Sequence, residues 1–308
     1  VNRRIVVVVH PHRRSARAAA QTVCASLIDR GITPVIAHRE YASLSSYGDL
    51  DLSGIEVLSD FAELDSETGP ELVMVLGGDG TILRAASHFH GTGVPIMGIN
   101  LGHVGFLAEA ERKDLHDTVE AAIARDYVVE QRMSLDITVT LGDELIHEDW
   151  ALNEATVEKD RGASMIEVVV GVDSRPVSTF GCDGVIMGTP TGSTAYAFSA
   201  GGPIIWPDVE ALLMVPISAH ALFSTPLVVS PSSTLGVEFQ PVTPGTRAVL
   251  FCDGRFRFDL PEGARVEARR SAVPVPLARL NKGVFTDRLV AKFQLPVAGW
   301  RGPGVRDD

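Results

Sequence analysis

The sequence predicts an α/β domain built on a parallel sheet, followed by a β-rich, sandwich-like domain. Residues 1–130 alternate buried-strand and amphipathic-helix patterns. From Ser134 to Ala268 the chain breaks into short alternating or β-branched runs separated by Gly, Pro and Asp. With 308 residues, 45% of them hydrophobic and 21% charged, there is apolar material for two cores.

Ile5–Val9 is an unbroken β-branched run, the pattern of a strand buried on both faces. Ala16, Ala19, Ala20, Val23, Leu27 and Ile28 then recur at helical spacing, with Ser15 placed to cap and Gly31 to stop. Leu72–Leu76 repeats the buried-strand pattern and runs into Gly77–Gly78–Asp79–Gly80. Thr81–His90 reads as the next helix and Pro95–Ile99 as the next strand. Leu115, Val119, Ala122 and Ile123 mark another helix. Such alternation implies right-handed crossovers and a Rossmann-like parallel sheet.

The texture changes near Glu130. Runs at Leu135–Thr140, Ile166–Val172, Leu227–Ser230, Thr234–Phe239 and Ala248–Cys252 suit an antiparallel sandwich. Phe285, Leu289, Val290 and Phe293 give one more short helix, and the Gly- and charge-rich tail Gly299–Asp308 reads as loose. The expected boundaries are 1–130 for the α/β domain, 131–275 for the β-rich domain, and 276–308 for a helix and tail returning to the first.

Lys plus Arg number 27 and Asp plus Glu 39, a formal net charge of −12. That charge repels nucleic acid and anionic lipid, so neither is expected as a partner. A bound phosphate must then be held locally, by backbone N–H groups, a few cations or a metal. Cys24, Cys182 and Cys252 form no CxxC pair, which fits a reducing compartment. Five apolar residues after Arg4 are too few for a signal-peptide core, and no run of about 18 apolar residues occurs. A cytoplasmic location is expected.

The strongest local signal is Leu76–Gly77–Gly78–Asp79–Gly80–Thr81, between a strand and a helix. Ligands of parallel sheets bind at strand carboxyl ends, where glycines admit a phosphate and the helix offers free N–H groups. Asp79 would repel that phosphate, so it fits a general base or a hydroxyl or metal ligand. The plainer reading is a tight turn with Asp79 capping the helix. Neither GxxxxGK[ST] nor GxGxxG is present.

Gly181–Tyr196 packs Gly, Ser and Thr between a strand and a short helix, Thr194–Ser199. Its hydroxyls and N–H groups could surround a polar ligand, with Tyr196 stacking on a ring; a hairpin loop is the alternative. Leu152–Asn153–Glu154–Ala155 lies inside a strand-like stretch, Trp150–Glu158. Adjacent strand residues face opposite sides, so Asn153 and Glu154 serve one ligand only at a strand end or bulge. Gly98–Leu107 would bring a glycine loop beside Asp79. His88 and His90 point to different helix faces, and His10 and His12 flank Pro11 with no third ligand. Arg13–Arg14 and Arg269–Arg270 read as solvated charge. Cys182–Asp183–Gly184 and Cys252–Asp253–Gly254 look like related turns with core cysteines.

Taken in order, GGDGT with Asp79, GINLGHVGFL from Gly98, LNE with Glu154, and DGVIMGTPTGSTAY from Asp183 resemble the NAD kinase family. The likeness runs well from about Leu72 to Pro207 and more loosely over Phe251–Gly254 and Phe285–Trp300. GGDGT alone is shared with diacylglycerol and sphingosine kinases; DGVIMGTPTGSTAY followed by SAGGP is far more specific. The resemblance implies ATP-dependent phosphorylation of the adenosine 2′-hydroxyl of NAD, giving NADP. It also implies NAD bound between the two domains, in a homodimer or homotetramer.

Carried over residue by residue, Asp79 is the base, and Gly80 and Phe106 line the adenosine side. Asn153 and Glu154 are the NAD-binding pair, and Thr194, Ala195, Tyr196 and Ser199 fall on the binding stretch. Asp183 would reach a dinucleotide held mainly by a neighbouring subunit. Arg84 sits where relatives are often polar or basic. Gly77, Gly78 and Thr81 would hold phosphates of ATP, with a divalent cation (Mg²⁺) bridging them. A lipid kinase should carry a GTGND-like loop, but Gly91–Thr92–Gly93 is wrongly placed for one. A silent NADP-binding regulator should lack Asp79, which is present.

Overall fold

The computed structural model describes residues 3–10, 13–46, 53–64, 69–102, 105–108, 110–111, 114–160, 165–240, 246–255, 257–280 and 285–297. The chain divides into two compact units, Val1–Gln131 with Pro276–Asp308, and Arg132–Val275. His12 and the tail Gly299–Asp308 lie outside the described residues.

The sheet of the first unit runs in the order Glu56–Leu58, Thr33–Ala37, Arg4–Val9, Leu72–Leu76, Ile96–Asn100, Val275–Arg279, Val128–Arg132. Ala110–Glu111 pairs beside Ile96–Asn100. From Glu56–Leu58 through to Val275–Arg279 the pairings are parallel. The chain steps outward from Arg4–Val9, then returns to lay Leu72–Leu76 on the other side. That reversal makes a topological switch point at the ends of these two strands. The ends are level, since Val9 pairs with Leu76 and the His10 N–H donates to Leu76 O at 3.0 Å.

Helix Arg14–Asp29 buries the Ala16–Leu27 stripe. The expected cap is wrong: Ser15 falls inside the first turn, and Arg13 holds the cap position without a side-chain bond. The helix ends at Gly31 as its position suggests, with Gly31 and Ile32 N–H groups donating to Ile28 and Leu27 carbonyls at 2.9 Å. A second helix, His38–Ser45, follows Thr33–Ala37, and the third is Asp79–Phe89, two residues longer at its start than the spacing suggests. Gly78 is extended, and its carbonyl accepts the Thr81 and Ile82 N–H groups. Asp79 therefore stands in the first turn, not at a cap.

The second unit holds two six-stranded sheets with antiparallel pairing. One runs Leu227–Val229, Leu212–Ile217, Gly184–Gly188, Glu154–Lys159, Ala248–Cys252, Arg257–Leu260. The other runs Arg175–Cys182, Ile166–Val172, Thr234–Gln240, Ala264–Arg270, Leu135–Leu141, Glu144–Ala151. Ile137, Val168 and Phe239 of one sheet share a core with Val157, Met187 and Leu250 of the other. Facing sheets around one core make a sandwich. The stretch Trp150–Glu158 is not one strand: it breaks at Leu152–Asn153. The helix expected over Thr194–Ser199 is a 3₁₀ turn, Gly192–Thr194, then a single α-turn, Tyr196–Ser199.

Arg279, on the late strand of the first sheet, is buried and donates to Glu130 Oε2 and Leu107 O, both at 3.0 Å. Replacing it by Met leaves both acceptors without that donor. Arg279→Met should lower stability by about 1–3 kcal/mol in urea unfolding. An unchanged midpoint would mean water replaces the guanidinium at no cost.

Candidate functional site

In the first unit the Asp79 carboxylate is gripped by backbone. Phe106 N–H donates to Oδ2 at 3.1 Å and Leu107 N–H to Oδ1 at 3.2 Å. The approach is possible because residue 105 is Gly; a Cβ there would collide with Asp79 Oδ1. The Phe106 ring packs against Phe285 and Phe293, centroids 5.7 and 5.9 Å away.

Asp79 opens onto a cavity of about 480 Å³ at the switch point, lined by the Gly78–Thr81 turn with His10, Arg13, Arg39 and Arg84. Gly78, Gly80 and Thr81 line it, whereas Gly77 is buried behind them. The first turn of the 11-residue helix adds a positive dipole end. Arg13 is exposed, yet it is not mere solvated charge, because it forms part of this wall. Arg84 is anchored there by Val9 O at 3.0 Å and Glu40 Oε1 at 2.7 Å. Burial pushes the Glu40 carboxyl up to about 7, against the lowering pull of Arg84 and the Val9 N–H. A second cavity of about 290 Å³ shares Arg39 and Arg84 and adds Phe61 and His88.

In the second unit Asn153 and Glu154 sit at a strand start, where both side chains can serve one ligand. Leu152, Asn153 and Glu154 N–H groups all donate to Asp253, at 2.8, 2.7 and 3.2 Å. Thr189 takes the carbonyl side, its Oγ1 donating to Leu152 O at 2.6 Å and its N–H to Asn153 O at 2.9 Å. Gly192 packs so tightly here that a Cβ would collide with Asn153 O. Asn153 Oδ1 and Glu154 Oε2 are buried without a partner among the described residues.

Burial first, then the Asp253 charge, pushes the Glu154 carboxyl up to about 8, while the Tyr196 N–H pulls it down. Thr194, Ala195 and Ser199 surround Tyr196 on the same turn. Asp183 stands apart from Glu154. Glu154 pairs with Gly188, whereas Asp183 precedes Gly184 at the other end of the same strand and binds Lys159 at 2.7 Å. Burial pushes the Tyr196 hydroxyl up, helped by the charges of Glu158, Asp183 and Glu154.

Two hydroxyls of the Gly181–Tyr196 stretch are taken up within the protein. Thr189 is fully buried in the turn just described. Ser193 donates to Pro190 O at 2.7 Å and accepts the Ile205 N–H at 2.9 Å. Asp253 was missed as a site residue; the repeated Cys–Asp–Gly at 182–184 and 252–254 was its one visible trace. The three free cysteines are buried, which pushes Cys24 and Cys182 up to about 12 and Cys252 higher. No group of three or more His, Cys, Asp or Glu among the described residues is placed to hold a metal ion.

The Glu154 shift fixes a pH dependence of stability. The folded state keeps this proton up to about 8, whereas the ordinary value is 4.5, so stability falls as pH rises through that window. Glu154→Gln cannot ionise. Its melting temperature relative to the unmodified protein should climb from near parity at about pH 5 to a clear gain at about pH 8.5. A constant difference in differential scanning fluorimetry would show that Glu154 titrates normally.

The ATP-NAD kinase N-terminal domain model matches residues 5–127, and the ATP-NAD kinase C-terminal domain model matches 152–280. NAD kinase of Leifsonia xyli subsp. xyli is 56% identical over 308 residues, 99% of each chain. NAD kinase 2 of Streptomyces avermitilis is 53% identical over 306 residues, 97% of each. An NAD kinase from Archaeoglobus fulgidus in complex with ATP aligns with a TM-score of 0.67 at 25% identity, over 96% of this chain and 99% of that one. Yeast NADH kinase complexed with NADH shares the fold, with a TM-score of 0.85 at 21% identity over 96% and 88%. On both domain matches and on these near full-length relatives, the chain belongs to the NAD kinase family.

Proposed function

We propose that this chain transfers the terminal phosphoryl group of ATP to the 2′-hydroxyl of the adenosine ribose of NAD, with Asp79 as proton acceptor. The observation that carries this reading is the Asp79 carboxylate, aimed by two backbone N–H groups into a cavity walled by cations and a helix N-terminus. A ribose hydroxyl is a poor nucleophile until its proton has somewhere to go. Phosphoryl transfer otherwise needs alignment and charge neutralisation. Gly78 and Thr81, with Arg13 and Arg39, suit the donor's phosphates, and Gly77 shapes their turn from behind. Gly80, Arg84 and Phe106 suit the adenosine side of the acceptor, and Asn153, Glu154, Thr194, Ala195, Tyr196 and Ser199 the dinucleotide.

Mg²⁺ enters this reading as part of the substrate, bound to ATP. The described side chains offer no protein cage for a resident ion, whereas ATP brings its own phosphate oxygens as ligands. Its contribution is neutralisation of the donor's charge. No described helix is long and apolar enough to cross a membrane; three buried free cysteines favour a reducing, cytoplasmic setting.

Asp79→Asn should lower kcat by roughly 10²–10⁴-fold, the usual worth of a positioned base, while KM for NAD stays within a few-fold. Activity within tenfold of the unmodified enzyme at neutral pH would reduce Asp79 to a residue that positions the ribose.

The active form in this reading is a homodimer or homotetramer. Asp183 lies five residues along the strand from Gly188, the residue paired with Glu154, about 17 Å away at 3.4 Å per residue. The family resemblance adds that Asp183 reaches a dinucleotide held mainly by a neighbouring subunit. Inactive Asp79→Asn and Asp183→Ala proteins, dissociated and reassociated together, should partly recover activity through hybrid sites. Absence of recovery, with hybrids seen by native mass spectrometry, would mean each subunit holds NAD alone.

A further inference from the structure

We propose that Asp253 is a positioning residue for the dinucleotide: its carboxylate fixes the Leu152–Asn153–Glu154 turn so that Asn153 Oδ1 and Glu154 Oε2 face the ligand. The inference rests on the reading that Asn153 and Glu154 bind NAD.

Three successive N–H groups converge on this one side chain. A turn between strands ordinarily leaves such donors to water or satisfies them one at a time. Asp253 itself sits at φ 51°, in the left-handed region that side chains rarely adopt and that Asn and Asp tolerate better than most. Its Cα is fixed from the other side as well, because the Asp253 N–H donates to Glu154 O at 2.9 Å. Glu154 and Asp253 thus hold each other through both backbone and side chain. Thr189 takes the carbonyls of Leu152 and Asn153, so the hydrogen-bonding capacity of the turn's backbone is used.

What remains unsatisfied is on the side chains. Asn153 Oδ1 and Glu154 Oε2 are buried acceptors without a described partner. Buried polar atoms are ordinarily paired. Two orphan acceptors on one immobilised turn suit a ligand rich in donors, and the ribose hydroxyls and amino or amide groups of a dinucleotide are such donors. A water-filled surface turn would need none of this bracing.

A second consequence concerns the proton on Glu154. The carboxyl faces Asp253 and Glu158 as negative charges and the Tyr196 N–H as a donor, while Arg255 stands beside Asp253. The Asp253 charge favours the protonated Glu154, which accepts from ligand donors less strongly than the carboxylate does. Removing that charge should move the pH dependence of NAD binding toward acid.

The test is steady-state kinetics of the full-length enzyme with Mg·ATP. Asp253→Asn keeps the shape but replaces one acceptor oxygen by a donor aimed at N–H groups. It should raise KM for NAD at least tenfold, leave KM for ATP within threefold, and shift the pH at which KM for NAD falls to a lower value. A lowered melting temperature with KM for NAD within twofold and an unmoved pH profile would overturn the proposal, leaving Asp253 a structural brace. If Asp253→Asn does not fold, Asp253→Glu, which keeps the charge but displaces it by one methylene, should still raise KM for NAD; an unchanged value overturns the proposal. The unmodified enzyme supplies an arm needing no variant. Its KM for NAD should fall as pH passes about 8, and a flat profile from about pH 6.5 to 9.5 counts against the Asp253–Glu154 coupling. Asn153→Ala separates the two levels of inference. An unchanged KM for NAD there sinks the underlying reading of the site. A raised value there, beside an unchanged one in Asp253→Asn, sinks this proposal alone.

Discussion

Backbone N–H groups hold four buried or half-buried carboxylates of this protein. Phe106 and Leu107 hold Asp79, Val9 holds Glu40, Tyr196 holds Glu154, and the Leu152–Glu154 turn holds Asp253. In a chain with a net charge of −12, cations are too few to neutralise every acid. Peptide donors do the work without adding charge, and they fix position more firmly than a flexible Lys or Arg. The grip has a steric condition: the backbone must come within hydrogen-bond reach of the acid. Gly105 meets that condition at Asp79, and Gly192 lets the opposite wall close on Asn153.

Because the donors are backbone, each carboxylate inherits its place from sheet register. The level ends of Arg4–Val9 and Leu72–Leu76 set where His10 and the Gly78–Thr81 turn emerge. The same level ends put Val9 beside Glu40 and Arg84. The cavity there joins arginines to one acid, and Glu40, poised near 7, controls how far the charge of Arg84 is neutralised. Below that value Glu40 is protonated and Arg84 presents its full charge to the cavity; above it the pair neutralises itself. The cationic wall of this cavity is thereby local in a chain of net negative charge.

Much of this was legible in the sequence where the cause is local. Ile5–Val9 and Leu72–Leu76 announce buried parallel strands because both faces are apolar. Ile166–Val172 and Ala248–Cys252 fall where their β-branched runs lie. The misplaced Ser15 cap shows the limit of local rules, since Arg13 starts that helix with no side-chain bond at all. Within the Gly- and Ser/Thr-rich stretch, the Thr189 and Ser193 hydroxyls bond backbone carbonyls, as a small hydroxyl beside a free carbonyl does. Asp253 was illegible for a different reason. Its partners lie about a hundred residues earlier, and only pairing of Ala155 with Cys252 brings them together.

If Asn153 and Glu154 bind the dinucleotide as proposed, the braced turn is also a means of storing affinity. Each buried acceptor left unpaired costs about 1–3 kcal/mol relative to a satisfied one. A free turn would relax and let water reach those atoms. Asp253 and Thr189 prevent that relaxation by occupying the backbone's own donors and acceptors. The cost is then carried by the ligand-free protein and relieved when donors arrive. Binding energy obtained this way is specific, because only a ligand with donors at both points relieves it. An analogue lacking one hydroxyl or amino group leaves one of the two acceptors unpaired and that share of the cost unrelieved.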